Sequence, residues 1–144
     1  MDYSYIIIPG IVGLATQVLK LLTDGIKGNF DFRNIFESYG GMPSAHTAFA
    51  VSITTLIGLR FGLDAPLFAV SLVFTLLVMR DAIAFRGLLG KEAKVFNQLA
   101  AKLNADSTNA QPLFRERMGH SVPEVIAGVI WGAGLTYLLN LLSL

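Results

Sequence analysis

Cysteine is absent from this chain of 144 residues. That excludes a disulfide framework, thiolate-ligated zinc or iron–sulfur sites, and a thiol nucleophile. Charge is scarce: Asp, Glu, Lys and Arg make up 15% of the residues, against about 25% in an average soluble domain. Neither sign prevails, with 11 basic and 10 acidic residues and a net charge of +1, so no basic field points to nucleic acid and none is expected as a partner. Histidine occurs only twice. The length suits one domain, so residues 1–144 read as a single membrane-embedded unit without a separate cofactor module. No basic segment precedes the first apolar run and no small-residue cleavage site follows it, so that run reads as a retained span.

What the chain does contain is apolar. Hydrophobic residues reach 53% and the mean hydropathy is +0.60. A membrane helix needs roughly 20 apolar residues, and four stretches come close: Tyr3 to Leu22, Pro43 to Phe61, Leu67 to Phe85 and Val122 to Leu144. Asp64-Ala65-Pro66 makes a short turn between the second and third. Within the longer piece from Arg86 to Ser121, Val95, Phe96, Leu99 and Leu103 recur at helical spacing while Lys91, Glu92, Lys94 and Lys102 take the other positions. The expected fold is all-α: an integral membrane bundle of about four transmembrane helices plus an amphipathic interfacial helix.

Ten of the 11 basic residues, Lys20, Lys27, Arg33, Arg80, Arg86, Lys91, Lys94, Lys102, Arg115 and Arg117, fall in the first and third loops or at the helix ends beside them. Arg60 alone lies on the other side. The positive-inside rule therefore puts those loops on the cytoplasmic side of the cell's inner membrane and both termini outside, although basic residues kept to bind an anion would produce the same asymmetry.

Antiparallel spans also gather the chemistry. Lys20, Ser44, His46, Arg80, Asp81, Arg86, His120 and Glu124 all stand at helix ends on one side, and charge at membrane depth is costly unless it faces a bundle interior or a wet cavity. Both histidines belong to this group. Imidazole serves as nucleophile or proton donor near neutral pH, and a carboxylate four residues on can set its tautomer. Two histidines with Lys and Arg suit phosphoryl transfer, in which basic groups hold the equatorial oxygens.

These residues occur as Gly40-Gly41-Met42-Pro43-Ser44-Ala45-His46 and Gly119-His120-Ser121-Val122-Pro123-Glu124. The pattern resembles the type 2 phosphatidic acid phosphatases, relatives of bacterial acid phosphatases and vanadium haloperoxidases, and above all their small divergent membrane branch. The superfamily pattern is K-x6-R-P, P-S-G-H and S-R-x5-H-x3-D. Lys20 matches its first Lys, with Lys27-Gly28 in place of Arg-Pro; Pro43 to His46 match the second element with Ala45 for Gly; His120 and Glu124 match the third with Glu for Asp. Phe114 stands at the place of its Arg. The divergent branch extends the likeness over Gln17 to Lys20, Gly40 to His46, Val78 to Arg86, which carries Asp81 and Arg86 with Arg80 for a usual Tyr, and Gly119 to Gly128.

The resemblance implies a membrane lipid-phosphate or lipid-pyrophosphate phosphatase. His120 would be the nucleophile, Glu124 would orient its ring and His46 would protonate the leaving oxygen. Lys20, Ser44, Gly41, Asp81 and Arg86 would bind the substrate phosphate, Arg86 standing in for the missing Arg ahead of Arg115 and Arg117. No metal or cofactor is implied, and the partners are a phosphorylated lipid substrate and membrane lipids.

Plainer readings stand beside these. Ser121-x-x-Glu124 is a capping box and Ser44 an N-cap; Asp81 and Arg86 could be a structural ion pair and Lys20 could snorkel to the headgroups. Gly58-x-x-x-Gly62 and Gly128-x-x-x-Gly132 have the spacing for close helix packing, within one chain or in a homo-oligomer. His46, His120 and Glu124 could form a two-His, one-carboxylate metal set, without the H-E-x-x-H spacing. A non-enzymatic carrier or binding protein for phosphorylated head groups would use the same cluster. For orientation, a single cysteine at Ser143 should be labelled by an impermeant thiol reagent in intact cells while one at Ser107 is spared; the reverse pattern overturns the assigned sidedness.

Overall fold

A computed structural model describes residues 3–25, 41–103, 113–114 and 120–142, with the backbone only for residues 23–25, 85–87 and 103. These form helices α1 (Ser4–Gly25), α2 (Ala45–Phe61), α3 (Pro66–Arg80), a π-helical segment (Asp81–Phe85), α4 (Arg86–Leu103) and α5 (Val122–Leu141). No strand occurs among the described residues. Among the described residues three stretches are long and apolar enough to cross a membrane: Ser4–Leu22, Pro66–Lys102 and Val122–Leu141. The fourth apolar helix, α2, has 17 residues, at the short end of the spanning range. The protein is a membrane helical bundle.

Local signals set the helix ends. Ser44 caps α2, which stops at Gly62 with φ 89°, a conformation that glycine adopts without a Cβ clash. Pro66 opens α3 where the backbone needs no N–H donor. The third span and the amphipathic helix, expected as separate pieces, run on through the π-helical segment as one continuous helical path. On α4 the apolar stripe of Leu88, Val95, Phe96 and Leu99 is exposed. Glu92 belongs to that stripe rather than to the basic side, because about 3.6 residues per turn set it between Leu88 and Phe96.

The short apolar helix α2 is the central one. α2 packs against α1, α3 and α5 and buries Thr47, Ala48, Ser52, Thr54, Leu56 and Ile57. With lipid tails as apolar as Leu, helices in a membrane associate through close packing and interhelical hydrogen bonds. Both are present. Thr136 Oγ1 on α5 lies 2.6 Å from Ser52 Oγ on α2. Thr75 Oγ1 on α3 donates to the Ala50 carbonyl at 3.0 Å, so Thr54 is the donor in its own 2.8 Å contact with Thr75. A Cβ on Gly128 would stand 2.7 Å from the Ser44 carbonyl oxygen, and one on Gly132 2.5 Å from that of Ala48. The second glycine motif therefore serves packing within one chain. Gly58 lies against the Phe68 ring of α3.

At the end of the bundle away from the histidines, Arg60 donates from Nε to Asn140 Oδ1 at 3.0 Å and from a terminal nitrogen to Ser4 Oγ. It also sits 5.1 Å from the centre of the Tyr5 ring, which stacks on Phe61. The lone basic residue of that side thus ties α1, α2 and α5 together. Replacing Gly132 by Val should destabilise the fold by about 1–3 kcal/mol through overpacking, whereas Gly134→Ala, whose Cβ meets nothing within 4 Å, should leave it unchanged or raise it by up to about 1 kcal/mol. Thermal unfolding in detergent checks both.

Candidate functional site

Three helix ends meet where the sequence motifs converge, and backbone hydrogen bonds join them. The Ser44 N–H, at the start of α2, donates to the Glu124 carbonyl in the first turn of α5 at 2.9 Å. The His120 N–H donates to the Ala82 carbonyl of the π-helical segment at 3.0 Å. A π turn forms i→i+5 bonds and is common at functional sites because it breaks the regular register of the helix. Here it offers a carbonyl to His120, the residue before the N-cap Ser121 of α5. The segment itself was not foreseen; its only trace in the sequence is the pair Arg80-Asp81 closing an otherwise apolar span.

His120 is buried, at 8% exposure. Its Nδ1 lies 3.1 Å from Glu124 Oε2. An ionised carboxylate only accepts hydrogen bonds, so Nδ1 is the donor, and in the neutral imidazole the lone pair resides on Nε2. The same Oε2 accepts the Ser121 N–H at 3.0 Å, the reach-back of a capping box. Contact with the ring and the cap on the helix are thus two hydrogen bonds to one oxygen, so the capping box and the His120 contact coexist.

Ser44 is wholly buried. Its Oγ accepts from the Thr47 N–H at 3.5 Å and from the Thr47 hydroxyl at 3.1 Å, which is the N-cap arrangement. Gly41, with φ 95°, occupies the left-handed region that side chains disfavour and leads the chain through Met42-Pro43 into that cap. Two residues past the cap, His46 is exposed and lines a cleft of about 340 Å³ with Leu77, Val78, Asp81 and Ala82. Ala82 thus borders the cleft of His46 and anchors the backbone of His120. Asp81 opens the π-helical segment on the rim of the same cleft.

Lys20, at the far end of α1 from Ser4, is 8% exposed, so its side chain lies within the protein and does not reach out to the headgroups as snorkelling requires. The structure therefore brings Lys20, Gly41, Ser44, His46, Asp81, His120 and Glu124 to one end of the bundle. Arg86 begins α4 there, but its side chain is outside the described residues, as are Lys27, Arg33, Arg115 and Arg117 entirely. Phe114, which replaces the superfamily Arg, is held on α4 by Asn97: the amide accepts from the Phe114 N–H at 3.0 Å and donates to its carbonyl at 2.7 Å. Phe114 also packs against Phe96. Nothing in the sequence singled out Asn97.

The N-termini of α2 and α5 both stand at this end, so their two helix dipoles favour an anion there. A buried lysine adds to that field. Among the described residues no three His, Asp or Glu side chains converge to hold a metal ion, so His46, His120 and Glu124 do not form a ligand set as they stand.

Residues 1–135 match a family described as the divergent PAP2 family. The chain belongs to that family. An uncharacterized membrane protein of Bacillus subtilis (strain 168), YuiD, is 35% identical over 85% of each chain, and no solved structure matches. Divergent PAP2 membership spans everything from α1 to most of α5, including both histidines and the turn before α2. In this divergent PAP2 protein, replacing Glu124 by Ala removes the acceptor of both Ser121 N–H and His120 Nδ1 and should lower stability by about 1–2 kcal/mol. Glu124→Gln keeps an oxygen and should lose less. Thermal unfolding of the two variants side by side measures the difference.

Proposed function

We propose that this protein is a metal-independent phosphatase for membrane lipid phosphates or pyrophosphates, acting through a phosphohistidine on His120 at the cytoplasmic face. The observation that carries the reading is the 3.1 Å contact from His120 Nδ1 to Glu124 Oε2, which selects the Nε2-nucleophile tautomer on a helix end where an anion is favoured. Nε2 attacks phosphorus and forms a P–N bond as the P–O bond to the lipid breaks. His46, facing the adjoining cleft, gives its proton to the departing lipid oxygen. Water then attacks the phosphohistidine, its proton passing to His46, and inorganic phosphate is released. Lys20 and Arg86 supply the positive charge that offsets the equatorial oxygens, with Gly41 and Asp81 at the rim of the phosphate site. Ser44 contributes through the capped N-terminus of α2, and because its oxygen only accepts from Thr47, its hydroxyl proton is left to donate to a phosphate oxygen.

A second reading, a non-enzymatic carrier or binding protein for phosphorylated head groups, draws on Phe114: the position that holds an Arg in the phosphatase pattern is here an apolar side chain packed on α4. One experiment separates the two. Purified protein should release phosphate from a panel of lipid phosphates in the presence of EDTA, vanadate should inhibit as a transition-state mimic, and His120→Ala should lose turnover while still binding substrate. Lys20→Ala should weaken binding as well. Head-group binding sensitive to Lys20, without phosphate release from any lipid phosphate, would establish the carrier instead.

A further inference from the structure

A groove of about 790 Å³ runs between α1 and α5, its walls including Leu19, Pro43, Ile130, Trp131, Gly134 and Leu138. Its lining is almost wholly apolar, and its position is what distinguishes it from ordinary lipid-facing surface. One end lies at Pro43, the residue before Ser44, and at Ala127, about one helical turn after Glu124, so the groove ends at the level of the head-group site. The other end lies at Leu138. From Ala127 to Leu138 a helix rises about 16 Å, close to half of a hydrocarbon core about 30 Å thick. The groove is therefore as long as one leaflet's acyl layer is deep.

Gly134 makes the space. Gly128 and Gly132, on the same helix, have no room for a Cβ because α2 lies against them, but a Cβ on Gly134 would meet nothing within 4 Å. The helix lacks a side chain there although packing does not demand it. Trp131 forms the inner wall; it packs against the buried cluster of Ile8, Val12, Ala48 and Leu56, and its indole N–H is buried with no hydrogen-bond partner among the described residues. Packing holds that ring in place.

We propose that this groove seats one hydrocarbon chain of the phosphorylated membrane lipid whose head group occupies the His120 end, an inference that rests on the lipid-phosphate reading above and extends it to the chain. In a bilayer an alkyl chain gains little free energy by moving from lipid to an apolar groove, since both surroundings are equally apolar. The groove's contribution is thus alignment: a chain lying along α5 sets the attached phosphate at the level of Lys20 and His120. Retention comes from the head group. A lipid lacking phosphate should occupy the groove no more than its share of the surrounding lipid dictates.

Trp131 is the single tryptophan of the chain, so its fluorescence reports on the groove directly. The test uses the full chain in detergent, with phosphatidic acid brominated along its acyl chains and the equally brominated diacylglycerol as probes. Half-quenching of Trp131 should need about a tenfold lower mole fraction of the phosphatidic acid, a preference of roughly 1.4 kcal/mol. Gly134→Phe, which fills the groove, should erase that preference, and Lys20→Ala should erase it from the head-group end. Val73→Phe, an enlargement on the exposed side of α3, should keep it. Ile130→Phe, on the same wall, repeats the test should Gly134→Phe not fold. Equal quenching by the two probes in the wild type, or a preference that survives both groove-filling variants, overturns the proposal. Phosphate release with equal quenching would remove the groove and leave the hydrolysis; preferential quenching without phosphate release would leave the groove and remove the hydrolysis.

Discussion

The close approach of α5 to α2 is the contact on which the rest of the bundle depends. Gly128 and Gly132 bring the backbone of α5 against the carbonyls of Ser44 and Ala48, closer than any side chain would permit. Such an approach is worth a great deal in a membrane, where the hydrophobic effect does not press helices together and van der Waals contact must. It also fixes register. With Gly128 on Ser44, the first turn of α5 lies beside the first turn of α2, and the Ser44 N–H reaches the Glu124 carbonyl. The histidine end of the protein follows from this contact.

Around that contact the bundle is held at three heights. Hydroxyl pairs, Ser52 with Thr136 and Thr54 with Thr75, join α2 to α5 and to α3 in its middle. Arg60, Asn140, Ser4 and Tyr5 close one end. The other end is closed by backbone bonds and by the Glu124 carboxylate, which serves Ser121 and His120 together. These hydroxyls, the guanidinium of Arg60 and the carboxylate of Glu124 thus find partners inside the protein, which is the condition for carrying them into a membrane. The outer surfaces of α3 and α5 are left to apolar side chains.

Much of this was legible from composition and spacing. Runs of apolar residues near 20 long can do little but form membrane helices, so the all-α bundle and its turns at Asp64 and Pro66 followed. Antiparallel alternation assigns helix ends to two sides, which is why the sequence alone groups Lys20, Ser44, His46, Asp81, His120 and Glu124. The divergent PAP2 likeness rested on those same residues. Less legible was anything that depends on backbone geometry without a side-chain signature: the π-helical segment, the Ala82 carbonyl that anchors His120, and the grip of Asn97 on Phe114.

The sequence by itself determined the apolar helices, their order and the end of the bundle at which Lys20, Arg60, Asp81 and Glu124 stand, because hydropathy and helix length act along the chain and need no partner. Tertiary structure alone decided how those residues share atoms. One oxygen of Glu124 both caps α5 and turns His120; Ser44 spends its oxygen on Thr47; Lys20 turns into the protein rather than out to the headgroups. It also decided which glycines are filled by a neighbour and which leave a space, a difference invisible in the string Gly128, Gly132 and Gly134. A glycine's neighbours come from another helix, and no local pattern encodes how closely that helix passes.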